Sequence, residues 1–139
     1  MKAVVRWEGG AAFSGETASG HVVRMDGPPD LGGRDSGPRP TELVLIGMGG
    51  CTSFDVVHIL RKGRHEIRGC TAQIDAERAA EDPKVFVRIH IHFVVTGHNL
   101  GEAAVERAIR LSAEKYCSVS IMLEKTAEIT HSFEIAEGD

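Results

Sequence analysis

Residues 41–62 read TELVLIGMGGCTSFDVVHILRK, and no other segment restricts the fold as strongly. Pro40 stands just ahead, where a first helical turn tolerates a missing N–H. Arg61 and Lys62 lie at the negative end of the helix dipole, with Gly63 as a stop signal. In the first half Leu43, Val44, Leu45, Ile46 and Met48 leave no polar face, and a helix apolar all round is buried all round. Polar residues return only after Cys51, with Ser53, Asp55 and His58. The rest of the chain must therefore wrap this helix. At 139 residues with 5% aromatics, the core rests on Val, Ile, Leu, Ala and Met, and cover from a second subunit would help. Gly47, Gly49 and Gly50 each cost a helix about 1 kcal/mol relative to Ala. Close approach of another backbone would compensate. Either a second helix of the same chain or the same helix of a symmetry mate serves.

The flanking segments supply the wrapping. Residues 2–7, 12–16 and 21–26 read as short strands separated by Gly-containing turns. Residues 27–40 hold four prolines and four glycines and form a loop that delivers the chain to the helix. Strands follow at 67–79 and 85–97. In the second, Val85, Val87, Ile89, Ile91, Phe93 and Val95 alternate with Arg88, His90 and His92, giving one core face and one solvent face. Residues 100–116 form an amphipathic helix (Ala104, Val105, Ala108, Ile109, Leu111, Ser112), 118–125 a short one, and 127–136 a final strand. The order implies a single α+β domain over 1–139, with helices on one face of a mostly antiparallel sheet.

Several functions lack support. A net charge of −4 gives no basic excess for nucleic acid or an anionic membrane. No apolar run approaches the roughly 18–20 residues of a membrane span, and the N-terminus has no signal-peptide pattern, so the expected compartment is the cytoplasm. The Gly-rich loop lacks a phosphate-binding motif, and no cofactor is expected. Three cysteines are too few and too scattered for a disulfide framework, and no C-x-x-C points to structural zinc. His90 and His92 have the H-x-H spacing that lets two imidazoles reach one metal, with His131 as a third candidate. Their other reading is solvent-facing strand positions.

Cys51 sits in the buried helix. Cys117 lies in Glu114-Lys115-Tyr116-Cys117-Ser118; a helix starting at Ser118, together with Lys115, would lower its pKa. Two readings stand: a redox pair, or two buried packing cysteines. Cys70, in a strand without an activating charge, packs. Asp55 is four residues after Cys51, on the same helix face. A carboxylate there disfavours a thiolate, unless Asp55 bonds to Arg61, Arg64 or another subunit and is structural. His58 reads as a partly buried histidine.

Pro40-Thr41-Glu42-Leu43, followed by an apolar Gly-rich helix into Cys51, resembles the central helix of the OsmC/Ohr proteins, thiol-dependent reductases of organic hydroperoxides. Val5-Arg6-Trp7-Glu8-Gly9 is similar to the opening strand of the OsmC branch. Glu42-Leu43-Val44-Leu45, Gly49-Gly50-Cys51, Asp55-Val56-Val57 and Glu114-Lys115-Tyr116-Cys117-Ser118 bring the chain nearest the YhfA-like branch. The resemblance implies an OsmC-like fold, a mostly antiparallel sheet packed on a long central helix and a second helix, in an intertwined homodimer whose long helices cross. It implies that a Cys51 thiolate reduces an organic hydroperoxide, that Cys117 closes a disulfide with it, and that an external dithiol resets the pair. It further implies an assisting carboxylate and arginine. The family's carboxylate directly follows the proline; here Thr41 does, and Glu42 comes one later, turned by about 100°. In the Ohr branch the arginine lies in the first hairpin, and residues 9–20 contain none here; the OsmC branch draws it from the loop before the helix, so the resemblance implies Arg34 or Arg39. The alternative is an OsmC-like dimer without peroxidase activity, serving another thiol redox role or binding a small apolar ligand.

Overall fold

The computed structural model describes residues 1–138, which group into two compact units dividing after Ile46. In the first, β1 (Ala3–Trp7), β2 (Phe13–Thr17) and β3 (Val22–Met25) form an antiparallel sheet in the order β1-β2-β3. Gly9 and Gly10 turn β1 into β2 with φ of +98° and +55°, a conformation that favours glycine. Much of this sheet's apolar surface is uncovered: Val5 is 61%, Trp7 68% and Val22 67% exposed.

The loop after β3 holds one 3₁₀ turn, Pro29–Leu31. Its backbone folds so closely on itself that a Cβ on Gly33 would collide with the Gly27 carbonyl. One buried carboxylate stitches it together. Asp26 accepts from the Gly27 amide at 2.7 Å, the Arg34 and Ser36 amides at 3.1 Å each, and the Ser36 hydroxyl at 2.6 Å. The Ser36 hydroxyl, and then the Gly27 amide, hold the Asp26 carboxyl well below the usual carboxylate range. Because the folded carboxyl titrates lower than an unfolded one, at about 3.9, its stabilisation is complete above that value and is lost as pH falls through the folded pKa. Asp26→Asn is therefore expected to lower Tm at pH 7 and to flatten its decline below about pH 4. Thermal scans of both proteins across that range check this.

α1 (Pro40–Lys62) is the long helix of the sequence reading. Glu42 Oε1 accepts the Arg39 amide at 2.8 Å, half of a capping box. At the other end the Arg64 amide donates to Arg61 and the His65 amide to Leu60, at 2.9 and 3.0 Å, which is a Schellman closure. The left-handed residue is Arg64, at φ +66°, not Gly63. Arg64→Gly is expected to raise stability by about 0.5–1 kcal/mol, read by denaturant titration.

Two expectations for α1 need correction. By length and composition alone it could cross a membrane. It is also not covered on every side: Met48, Gly49, Thr52, Val56 and Leu60 are buried, while Ile46 is 62% and Phe54 69% exposed. The buried residues recur at three or four positions, as one helix face against a core does. A Cβ on Gly49 would lie 2.8 Å from Ile74 Cδ1, so this glycine lets α1 approach the sheet below it.

In the second unit, β4 (Glu66–Arg78), β5 (Phe86–His98) and β6 (Glu128–Glu137) form a sheet in the order β4-β5-β6. β4 and β5 pair antiparallel, β5 and β6 parallel. The strands thus divide between two three-stranded sheets instead of one, although three of the four pairings are antiparallel. The parallel pair follows from what joins it: α2 (Glu102–Leu111) and α3 (Ser118–Leu123) carry the chain back to the starting end of β5, as a crossover must. Ile89, Ile91, Phe93 and Val95 are fully buried on one face of β5, together with Val105 and Ala108 of α2. Val85 and Val87 continue the alternation but lie exposed.

Candidate functional site

The helix expected over 100–116 stops at Leu111, and residues Ser112–Tyr116 form a single π turn. It closes where the Cys117 amide donates to the Ser112 carbonyl at 2.8 Å. The widened turn displaces the chain by one residue, a distortion frequent at functional sites. Its two ends, Ser112 and Cys117, are both buried and both meet side chains of α1.

Ser112 Oγ donates to Asp55 Oδ2 at 2.8 Å and lies 2.9 Å from Thr52 Oγ1. Asp55 is therefore seated by Ser112, in place of the Arg61 or Arg64 pairing that the sequence suggested. Cys117 heads α3, where its sulfur accepts the Ser120 amide at 3.4 Å. The Cys51 thiol lies nearby and adds to the upward push on the Cys117 pKa. Donor atoms of Cys51, Asp55 and Cys117 all lie within 4.8 Å of one another. The structure thus brings together two thiols far apart in sequence, with a carboxylate beside them.

The electrostatics of Cys117 differ from expectation. Burial pushes its thiol up, and Ser120 beside it offsets this only in part. Cys117 is fully buried, and desolvation outweighs the start of a helix of barely two turns. Lys115 turns its ammonium over the Tyr116 ring, 5.3 Å from the centroid, and is not among the groups that move Cys117. Cys51, one turn before Asp55 on α1, is partly exposed. Asp55 also lines a cleft of about 530 Å³ with His58, Lys62, Arg107, Leu111 and Tyr116. His58 is exposed instead of partly buried, and stacks on Phe54 with centroids 5.7 Å apart. Cys70 packs in β4, its thiol pushed up by burial and eased by the Ser53 hydroxyl.

The other candidate helpers belong to the first unit. Arg39 Nη1 is 2.7 Å from Asp35 Oδ1 and 3.5 Å from the Gly37 carbonyl. Arg34 is exposed and ties its backbone amide to Asp26. Glu42 caps α1 as described. Asp55 and Ser112 are the site residues that the sequence underweighted. The signal for Asp55 was its four-residue spacing from Cys51; for Ser112 it was a hydroxyl on the apolar face of an amphipathic helix.

The histidines do not converge. His90 lies 2.6 Å from Thr130 Oγ1 and 2.8 Å from Ser132 Oγ, and His92 Nδ1 is 2.7 Å from the same Ser132 Oγ. In the parallel register His131 stands beside Ile91, on the opposite face, where its ring stacks on Phe93 with centroids 6.3 Å apart. It cannot join the other two around one ion.

Comparison with known proteins agrees with this architecture. The family model of the OsmC-like proteins matches residues 33–132. The YhfA protein of Escherichia coli is 50% identical over 135 residues, covering 97% of this chain and 98% of YhfA. A crystal structure of a hypothetical protein from Aquifex aeolicus superposes with a TM-score of 0.87 at 30% identity, covering 99% and 97% of the two chains. The organic hydroperoxide resistance protein OhrB of Bacillus subtilis shares the fold at a TM-score of 0.64 and 19% identity, covering 96% of each chain. With its fold, its two converging cysteines and half its residues shared with YhfA, the chain belongs to the OsmC-like family.

Proposed function

We propose that the chain reduces organic hydroperoxides through Cys51 and Cys117. The observation that carries this reading is the pair itself: a partly exposed thiol beside a fully buried one, with sulfurs within 4.8 Å. The Cys51 thiolate attacks the distal peroxide oxygen, the O–O bond breaks, and the alkoxide leaves as the alcohol after taking a proton. Cys51 is then a sulfenic acid. Cys117 attacks that sulfur, water leaves, and a disulfide joins the two. An external dithiol returns both thiols by exchange. In this reading Arg34 or Arg39 supplies the cation that favours the thiolate, and Glu42 orients it.

The working unit is a homodimer. α1 leaves Val44, Ile46 and Phe54 exposed, and apart from the helix's own backbone and the adjoining residues no atom lies within 4 Å of where a Cβ on Gly47 or Gly50 would stand. Such a surface fits the same helix of a second copy. The exposed apolar residues of β1–β3 would gain cover by the same association.

One observation favours the second reading, an OsmC-like dimer with a different thiol role. A carboxylate beside Cys51 disfavours the thiolate that peroxide attack requires. The deciding experiment counts free thiols on reduced protein before and after one equivalent of cumene hydroperoxide. Rapid loss of two thiols per chain is expected, restored by a dithiol and absent in Cys51→Ser. Loss no faster than that of a free thiol in solution removes the peroxidase reading.

A further inference from the structure

Two thiols and a carboxylate converging on one point are a set of metal donors, and we propose that the reduced chain binds a zinc-type divalent cation through Cys51, Asp55 and Cys117. The inference needs no peroxidase activity. Sequence spacing pointed away from zinc because no C-x-x-C is present; here the fold supplies the convergence. Cys51 and Asp55 sit one turn apart on α1, and the π turn ahead of α3 brings Cys117 to them.

The geometry is close to what such an ion needs. Zinc bound tetrahedrally, at about 2.3 Å to sulfur and 2.0–2.2 Å to oxygen, holds its donors about 3.6–3.8 Å apart. The three donors here lie within 4.8 Å of one another, so contraction by at most about 1.2 Å completes the set.

The surroundings suit the charged form of the ligands. The Ser120 amide already points at Cys117 Sγ, at 3.4 Å, and such a bond persists to a bound thiolate. Ser112 donates to the Asp55 carboxylate at 2.8 Å and is itself partnered by Thr52. Outer partners of this kind orient a ligand and raise affinity. Three protein ligands leave one position for water or an external donor. Binding releases the two thiol protons, and no electron moves. Since both sulfurs are needed, a Cys51–Cys117 disulfide and the ion exclude each other.

Anaerobic titration of the reduced protein with Co²⁺, without peroxide, tests the proposal independently of the catalytic reading. One ion per chain is expected, with a sulfur-to-cobalt charge-transfer band that Zn²⁺ abolishes by displacement. Asp55→Asn is expected to weaken binding by at least about 10-fold, and Ser112→Ala, which keeps every ligand, by about 10-fold. Cys117→Ser should lose the two-thiolate band, while Cys70→Ser should keep it. Circular dichroism establishes that each variant is folded; if Asp55→Asn is not, Ser112→Ala decides the part played by the carboxylate. The absence of a band in wild type, its survival in Cys117→Ser, or unchanged affinity in both Asp55→Asn and Ser112→Ala would overturn the site.

Discussion

Cys117→Ser is expected to separate the two chemical steps assigned to the thiol pair. Cys51 should still lose its thiol to hydroperoxide, but a sulfenic acid should accumulate, trappable by a cyclic 1,3-diketone and open to further oxidation. Turnover with a dithiol should fall by at least about 100-fold, because an intramolecular partner in position is replaced by one that must arrive from solution. The substitution suits the fold. Cys117 accepts the Ser120 amide at the start of α3, and serine is a good acceptor at such a position. A loss of turnover in a folded variant therefore reports on the missing sulfur. Unchanged turnover would mean that Cys117 only packs. The same variant without peroxide tests the metal site, so the two roles can fail separately.

The parts of this molecule legible in its sequence are those governed by local spacing. The long helix starts at Pro40, one residue from where its composition placed it, and the alternation in 85–97 puts Ile89, Ile91, Phe93 and Val95 in the core. Strand pairing is not local, and there the reading ran short. Period-2 alternation assigns a face but names no neighbour; that β6 joins β5 in parallel follows only once α2 and α3 are seen as its crossover. Consequently His131, named only as a candidate third ligand beside His90 and His92, turns to the opposite face and stacks on Phe93. The π turn at Ser112–Tyr116 is equally invisible to a helical pattern, since its residues still look amphipathic. At the site, both cysteines and Asp55 were visible as residues. Their convergence was not, because it depends on Ser112 of a distant segment holding Asp55 and on Cys117 being carried back to α1. The capping role of Glu42 was readable from its place in the first turn.

The largest effect on stability is expected at Phe93. This ring is fully buried on β5, the middle strand of its sheet, with Ala72 and Phe133 as cross-strand neighbours. Ala72 is too small to fill the space that Phe93→Ala would open. The expected loss is about 3–5 kcal/mol, a large share of the 5–15 kcal/mol typical of a folded domain. It has a pH signature. His131 stacks on Phe93, its Nε2 is buried without a hydrogen-bond partner, and burial, followed by the charge of His90, lowers its pKa. The folded protein thus holds this imidazole neutral where the unfolded chain, titrating at about 6.5, takes up a proton. Native stability must therefore fall as pH drops below that value. With the phenyl ring gone, water reaches His131, whose cleft is also lined by Glu106, Arg110 and Glu114, and its pKa should return toward the ordinary value. The destabilisation by Phe93→Ala should then be larger at pH 7.5 than at pH 5, where wild type has already lost the contribution of a neutral His131. Urea titrations at the two pH values measure both terms. A loss below about 1 kcal/mol would contradict the packing of this core, and an equal loss at both values would break the link to His131.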